Sequence, residues 1–314
     1  TAMLENKTTA SASNVEIDIY DFLKILWNGK LAIIINTIIF LMVSMLYAFS
    51  LPNIYQSSAI LSPASHQNYS DSAIGGYSGL ASFAGISVGS NLANNNSAKA
   101  LKKLSTLNFF ADDIMPNIFL PDLMAYKSWE PLSNDNIYDQ NIYEESTGIW
   151  TREHKFPMSQ IPSKQESFNK FKNDHLRFSE DRNTGFITIS INHQSPFIAK
   201  AWIEIIVEEL NEYFRVHDEA EAQSSINYLK KQIAETGLTE IKVVIAQLLQ
   251  QKIQVLTLIE ANDYYVFEYI DRPVAMEQKH EPNRIIIMIV GILLGILLGM
   301  LTTFLKYHRS KKIF

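Results

Sequence analysis

The sequence IIIMIVGILLGILLGMLTTFL, residues Ile285–Leu305, decides the fold, because its 21 residues include no Asp, Glu, Lys or Arg. A second stretch of the same length and kind, LAIIINTIIFLMVSMLYAFSL, occupies Leu31–Leu51. A helix needs about 20 apolar residues to cross the hydrocarbon core of a bilayer. We therefore predict two transmembrane helices, with 30 residues before the first, 233 between them and 9 after the second.

The predicted spans give the chain an orientation and a domain layout. Lys24 and Lys30 precede the first span, whereas no Lys or Arg occurs in it or in the 47 residues that follow. By the positive-inside rule, residues 1–30 and 306–314 are cytoplasmic, and residues 52–284 form an exported domain. Four acidic residues precede the first span, which is not typical of a cleaved signal peptide.

The exported domain is acidic and contains no cysteine. The formal charge of the chain is −6; the N-terminal segment contributes −1 and the tail +4, which leaves −9 for the loop between the spans. Such a surface does not favour binding of polyanions, so we predict no nucleic-acid partner. The absence of cysteine excludes disulfides and thiolate metal sites.

The exported domain has the sequence pattern of an α+β fold. Phe186–Ile191 alternates apolar and polar residues and follows a short apolar segment, Leu176–Phe178, so the two predict a β-hairpin. Tyr55–Leu61 and the aromatic-rich Tyr264–Ile270 are also typical of strands. We predict a small mixed sheet.

Two segments between these strands have weaker patterns. Ser62–Ser97 is rich in Ser, Asn, Gly and Ala and predicts a loop. Residues 98–115 have helical spacing, whereas Asn117–Ser163 is polar, aromatic and irregular.

A long helical pattern follows the predicted β-hairpin. Ser195 and Pro196 are typical of an N-cap and a first helical residue, and apolar residues then recur at spacings of three and four. Tyr264–Ile270 lies only about 15 residues before the second span, so the strands on both sides of the helical pattern belong near the membrane. The chain must therefore go out and return, and Gly237 is the predicted turn. The arms, Val216–Thr236 and Thr239–Glu260, are each about 32 Å long at 1.5 Å per residue.

The predicted fold is therefore α+β, with two transmembrane helices flanking a periplasmic domain that carries a helical hairpin extension at about residues 216–260. A thin hairpin cannot bury all of its apolar residues, which favours a homo-oligomer. We predict that Leu248 and Leu249 lie in the packing of this extension.

No motif in the chain predicts catalysis, a cofactor or a metal site. GISVG at Gly85–Gly89 matches the nucleophile-elbow pattern around Ser87, but no buried strand precedes it. The triplet His217-Asp218-Glu219 points around a helix and cannot converge on one ion. We interpret it as a solvated helical face.

The second span contains a stripe of small residues. Gly291, Gly295 and Gly299 recur at intervals of four, which lets helix backbones approach closely. The partner of this predicted packing surface is the first span or the same helix of another subunit.

The ordered set of segments resembles the chain-length determinant (Wzz-type) polysaccharide co-polymerases of Gram-negative inner membranes. The similar segments are IDIYDFLKILWNGK, GGYSGLASFAGISVG, AKALKKLSTLNFF, SPFIAKAWIEIIVEELNEYFR, SINYLKKQIAETGLTEIKVVIAQLL and YYVFEYIDRPVAMEQKHEPNRIIIMIVGILLG. Together they cover nearly the whole chain. The linker before the second span, with Pro273 and Pro282, departs from the family because other members often have more proline there.

The resemblance implies a non-enzymatic protein of the bacterial inner membrane that assembles into a ring. Such a ring regulates the chain length of a surface polysaccharide, such as lipopolysaccharide O-antigen, together with a membrane polymerase and its lipid-linked glycan. The alternative is the related inner-membrane component of ABC-transporter-dependent capsule export. An exported sensor and a hydrolase built on Ser87 are further alternatives.

Overall fold

The computed structural model describes residues 26–64, 92–262 and 264–311. It divides into two compact units, one formed by Thr1–Pro52 with Pro282–Phe314 and the other by Asn53–Glu281. The GISVG segment with Ser87, most of the predicted N-terminal segment and the last three residues of the tail lie outside the described residues.

The helices and strands are numbered in chain order. The helices are α1 (Lys30–Ser50), α2 (Leu92–Leu104), α3 (Leu107–Phe109), α4 (Leu120–Met124), α5 (Lys164–Lys170), α6 (Pro196–Glu235), α7 (Thr239–Ala261) and α8 (Arg284–Lys311). The strands are β1 (Tyr55–Pro63), β2 (Tyr126–Glu130), β3 (Asp135–Tyr138), β4 (Tyr143–Glu144), β5 (Ile149–Trp150), β6 (Leu176–Glu180), β7 (Ile187–His193) and β8 (Phe267–Asp271). Two π-helical turns follow α3 and α5, at Phe110–Ile114 and Phe171–His175.

The first unit consists of α1 and α8 packed against each other. Both are long and apolar enough to cross a membrane, which agrees with the two predicted spans. Helix α8 continues six residues past the predicted end of the second span, Leu305, into the basic tail.

The second unit is built on a four-stranded sheet in the order β6-β7-β1-β8. The prediction of a mixed sheet is wrong, because every pair of neighbouring strands in it is antiparallel. Strands β7 and β8 run in the same direction, but β1 lies between them and keeps them apart. The predicted mixed fold of helices and sheet is otherwise confirmed.

The main core lies between this sheet and the first half of α6. The alternating residues Ile187, Ile189 and Ile191 are fully buried, because one face of β7 points into the core. Ile203 and Ile206 of α6 are also fully buried and belong to the same hydrophobic cluster. Burial of a side chain of this size contributes about 1.5–3 kcal/mol.

Residues 120–150, named here the insert, are regular where the sequence predicted irregular structure. The pairs β2–β3 and β4–β5 are antiparallel hairpins. Asn134 and Gly148 adopt positive φ angles of 58° and 69° at their turns, a conformation that Asn and Gly adopt more readily than other residues. The predicted loop Ser62–Ser97 is also too long, because α2 already begins at Leu92.

The long helices agree with the predicted hairpin. The Ser195 hydroxyl accepts a hydrogen bond from the Ile198 N–H at 3.5 Å, and Pro196 is the first helical residue. Helix α6 ends at Glu235 and α7 begins at Thr239, so the turn contains Gly237. The two helices pack against each other on the return.

Candidate assembly surface

The helical hairpin buries very little of itself. In the described residues 216–261, the buried side chains are those of Ala222, Ile226 and Ile259. Since two-helix contact leaves most of each helix exposed, the hairpin does not form a core of its own.

The predicted packing residues Leu248 and Leu249 lie at this contact and are half-buried. Leu248 lines a groove between the arms with a volume of about 470 Å³. The groove is lined by Ser224, Ser225, Tyr228 and Leu229 of α6 and by Leu248, Gln251 and Lys252 of α7. Leu248 therefore has space beside it that its own chain does not fill.

Between Val243 and Thr257, the side of α7 away from α6 is exposed and carries no charge. We name it the outer α7 face; it consists of Val243, Ala246, Gln247, Gln250, Ile253, Gln254 and Thr257. Spacings of three, four and seven residues place these side chains on one face of a helix. Val243 is 54% exposed and Ile253 is 44% exposed.

The exposed side of the α6 arm has a different composition. Its exposed residues include Glu219, Lys230, Lys231 and Glu235, and the Lys231 Nζ atom lies 3.8 Å from a Glu235 carboxylate oxygen. Charged side chains of this kind are typical of a helix face in water. The exposed side of the α6 arm is therefore charged, whereas the outer α7 face is not.

An exposed helical face without charge is a candidate interaction surface. A helix that is apolar on most of its circumference is normally buried, and exposed apolar patches mark interaction sites. Helix α7 has apolar residues on the side that contacts α6 and uncharged residues on its outer face. Contact with α6 therefore leaves the outer α7 face uncovered. The residues of the outer α7 face were not singled out from the sequence, although its uncharged run from Val243 to Gln251 was visible there.

The glycine stripe of α8 faces α1 of the same chain. A Cβ atom added at Gly295 would lie 2.7 Å from the Thr37 Cα atom, and one added at Gly299 would lie 2.7 Å from the Ile33 Cα atom. A Cβ atom at Gly291 would collide with the Ser44 side chain. The sequence left two partners open for this packing surface. In the structure the partner is the first span.

One group of side chains has the ligand types of a metal site. Suitable atoms of His217, Asp218 and Glu221 lie within 4.8 Å of one another. The prediction that successive helical residues cannot converge is wrong for His217 and Asp218, and Glu221, one turn beyond His217 on the same side of α6, joins them in place of Glu219. The Tyr265 hydroxyl donates a hydrogen bond to the Asp218 carboxylate at 2.7 Å, so one member has a structural role.

The sequence matches a known family over its N-terminal third. Residues 15–111, which include α1, β1 and α2, match the family described as Wzz, chain length determinant protein. The chain carries a Wzz-family segment. The resemblance that the sequence predicted is thereby confirmed. No curated protein matches the chain.

Two solved structures are similar to this chain. One is described as a full-length bacterial polysaccharide co-polymerase, with 15% sequence identity and a TM-score of 0.42, covering 94% of this chain and 99% of that chain. The other is a fragment of WzzB, a polysaccharide co-polymerase from Salmonella Typhimurium, with 14% identity and a TM-score of 0.33, covering 73% of this chain and 100% of that chain.

Proposed function

We propose that this protein is a non-catalytic polysaccharide co-polymerase that regulates the chain length of a surface polysaccharide such as lipopolysaccharide O-antigen. It acts as an oligomeric ring in the bacterial inner membrane, together with a membrane polymerase and its lipid-linked glycan. The observation that carries the proposal is the Wzz-family match over residues 15–111.

The proposed topology follows from the two candidate spans and the basic residues beside them. Residues 1–30 and 306–314 are cytoplasmic, and residues 52–284 form the periplasmic domain. This arrangement exposes the hairpin of α6 and α7 to an aqueous compartment. The outer α7 face therefore needs protein, and not lipid, to cover it.

Assembly through the outer α7 face is the physical basis of the proposed ring. Complete burial of a Val or Ile side chain contributes about 1.5–3 kcal/mol, and this face presents Val243 and Ile253 without a charge that would have to be desolvated. In this proposed contact, charged side chains on the α6 arm of a neighbouring subunit lie at its edges. The glycine stripe does not contribute, because α1 of the same chain covers it.

Regulation of length, as distinct from synthesis, is testable at the groove between the arms. We expect Leu248→Asp with Leu249→Asp to place two charges at half-buried positions, at a cost of about 1–3 kcal/mol each. Polymer should still be made, with a broadened or shortened length distribution. Gel electrophoresis of the surface polysaccharide, in a deletion strain complemented with the variant, measures this distribution.

A matched control places charge on the exposed side of the α6 arm. Ala220→Asp with Ala234→Asp changes two exposed positions on that arm and should leave the length distribution unchanged. Loss of all polymer while the groove variant is folded, inserted and present at normal levels would refute the regulator role. Full-length polymer retained inside the deletion strain would instead identify the capsule-export component.

A further inference from the structure

Two histidines, one buried and one half-buried, lie side by side in the second unit, outside the hairpin. His193 ends β7 and is 2% exposed, and His175 ends the π-helical turn after α5. Their ring centroids are 5.5 Å apart, and the Trp202 ring of α6 lies 5.3 Å from His175 and 5.1 Å from His193. The Tyr126 ring of the insert lies 4.4 Å from His193.

The hydrogen bonds of His193 fit a neutral ring. The Ser195 backbone N–H donates to its Nδ1 atom at 3.0 Å, so the ring proton lies on Nε2 and is donated to the Asp122 carbonyl oxygen at 3.1 Å. A second proton would have to occupy Nδ1, where it would face an N–H group. Protonation of His193 therefore breaks its bond to the residue that caps α6.

His175 is also neutral in this arrangement. Its Nδ1 atom donates to the Asn192 carbonyl oxygen at 2.7 Å, and its Nε2 atom is buried without a hydrogen-bond partner in the described residues. A proton added at Nε2 would create a buried cation with no acceptor beside it. Such a charge is costly in a low-dielectric interior.

The charged groups around the pair do not compensate for this cost. Lys170 and Arg177 oppose protonation of His175, whereas Asp174 favours it. From the insert, the Asp122 carboxyl accepts a hydrogen bond from the Tyr138 hydroxyl at 2.7 Å, and burial raises the pKa of that carboxyl. The neutral Tyr126 phenol and the uncharged Trp202 ring complete the surroundings.

Burial shifts the titration of both rings in the same direction. It lowers the pKa of His175 to about 4 and that of His193 to about 3, and the neighbouring His175 also lowers the pKa of His193. The pKa of an unfolded or released histidine is about 6.5. Below that pH the released state binds more protons than the closed state, so acid favours release.

The two rings connect four parts of the unit. The His193 ring joins the insert, through Asp122, to the N-cap of α6, and His175 joins the π-helical turn to β7. We propose that the His175–His193 pair is an acid-sensitive latch that holds the insert and the first turn of α6 on the sheet at neutral pH and releases them in acid. The proposal does not depend on the polysaccharide function.

Hydrogen exchange of the full chain in nanodiscs at pH 7.5 and pH 5.0 tests the latch. After correction for intrinsic exchange rates, amides of the insert and of residues 196–199 should lose protection at pH 5.0. With closed-state pKa values near 4 and 3, the limit is about 30-fold per histidine. Amides of α7, which do not contact the pair, should change less.

Variants that keep the hydrogen bond at the Nδ1 position of each ring, but that cannot titrate, supply the comparison; His193→Asn loses the bond to Asp122. In His175→Asn the amide nitrogen takes the place of the donating Nδ1, and in His193→Asn the amide oxygen takes the place of the accepting Nδ1. The double variant should lose the acid response, whereas the exposed-site control His154→Asn with His217→Asn should retain it. An equal loss of protection in wild type and double variant, or no loss in wild type, would overturn the proposal.

A second measurement applies if the double variant does not fold. The ring nitrogen signals of His175 and His193 in the folded wild-type protein should stay in the neutral form at pH 5.5. Titration of both rings near pH 6.5, with the sheet still folded, would also overturn the latch.

Discussion

The antiparallel helix pairs α1–α8 and α6–α7 differ in how closely their helices pack. In the pair of α1 and α8, Gly291, Gly295 and Gly299 face α1, and the backbones approach closely. In the pair of α6 and α7, larger side chains such as Leu248 separate the helices and leave a groove. The spans of the first pair and the outer α7 face of the second are both uncharged, but in the proposed topology lipid covers the first and a neighbouring subunit covers the second. An uncharged helix surface thus means different things in lipid and in water.

The largest loss of stability is expected where the backbones of α1 and α8 touch. Gly295→Leu places a side chain where Thr37 Cα already lies, and overpacking of this kind costs about 1–3 kcal/mol. Because the chain has no cysteine, dyes on Leu31→Cys and Leu301→Cys report separation of the spans by energy transfer during SDS titration. Separation should require less SDS in the variant.

The matched control for this prediction adds bulk on the lipid-facing side of α8. Val290 is 48% exposed, so Val290→Leu should leave the SDS midpoint unchanged. Equal midpoints for Gly295→Leu and wild type would show that close backbone contact does not stabilise the pair.

The glycine of the other helix pair should respond in the opposite direction. A Cβ atom at Gly237 meets no atom within 4 Å, and its φ angle lies outside the positive range that disfavours other residues. We expect Gly237→Ala to increase the free energy of unfolding by about 0.4–1 kcal/mol, because it restricts the unfolded chain. Chemical denaturation measures this difference, and a loss of stability would mean that the turn needs glycine.

The sequence predicts the helices of both pairs and the hairpin β6–β7, because their signals are local. Apolar periodicity and the Ser195-Pro196 cap mark the start of α6, and Gly237 marks the turn. The antiparallel sheet could not be predicted in this way. It depends on the placement of β1 between β7 and β8, and the paired residues Leu61 and Tyr269 are about 200 positions apart.

The histidine pair was missed for a different reason. His193 continues the alternation of Ile187, Ile189 and Ile191 on the inner face of β7, so its burial was visible in the sequence pattern. Its contact with Asp122 was not visible, because the insert lacks the periodicity of a strand. Two-residue strands such as β4 and β5 are too short to show alternation.

Assembly of the subunits through the outer α7 face can be measured by native mass spectrometry from nanodiscs. We predict several subunits for the wild type and for the control Ala220→Asp with Ala234→Asp. Val243→Asp with Ile253→Asp should yield smaller assemblies, with the unfolding midpoint of the domain unchanged, because both side chains are exposed in the single chain. A wild-type monomer, or an unchanged assembly in the Val243 and Ile253 variant, would exclude assembly through the outer α7 face.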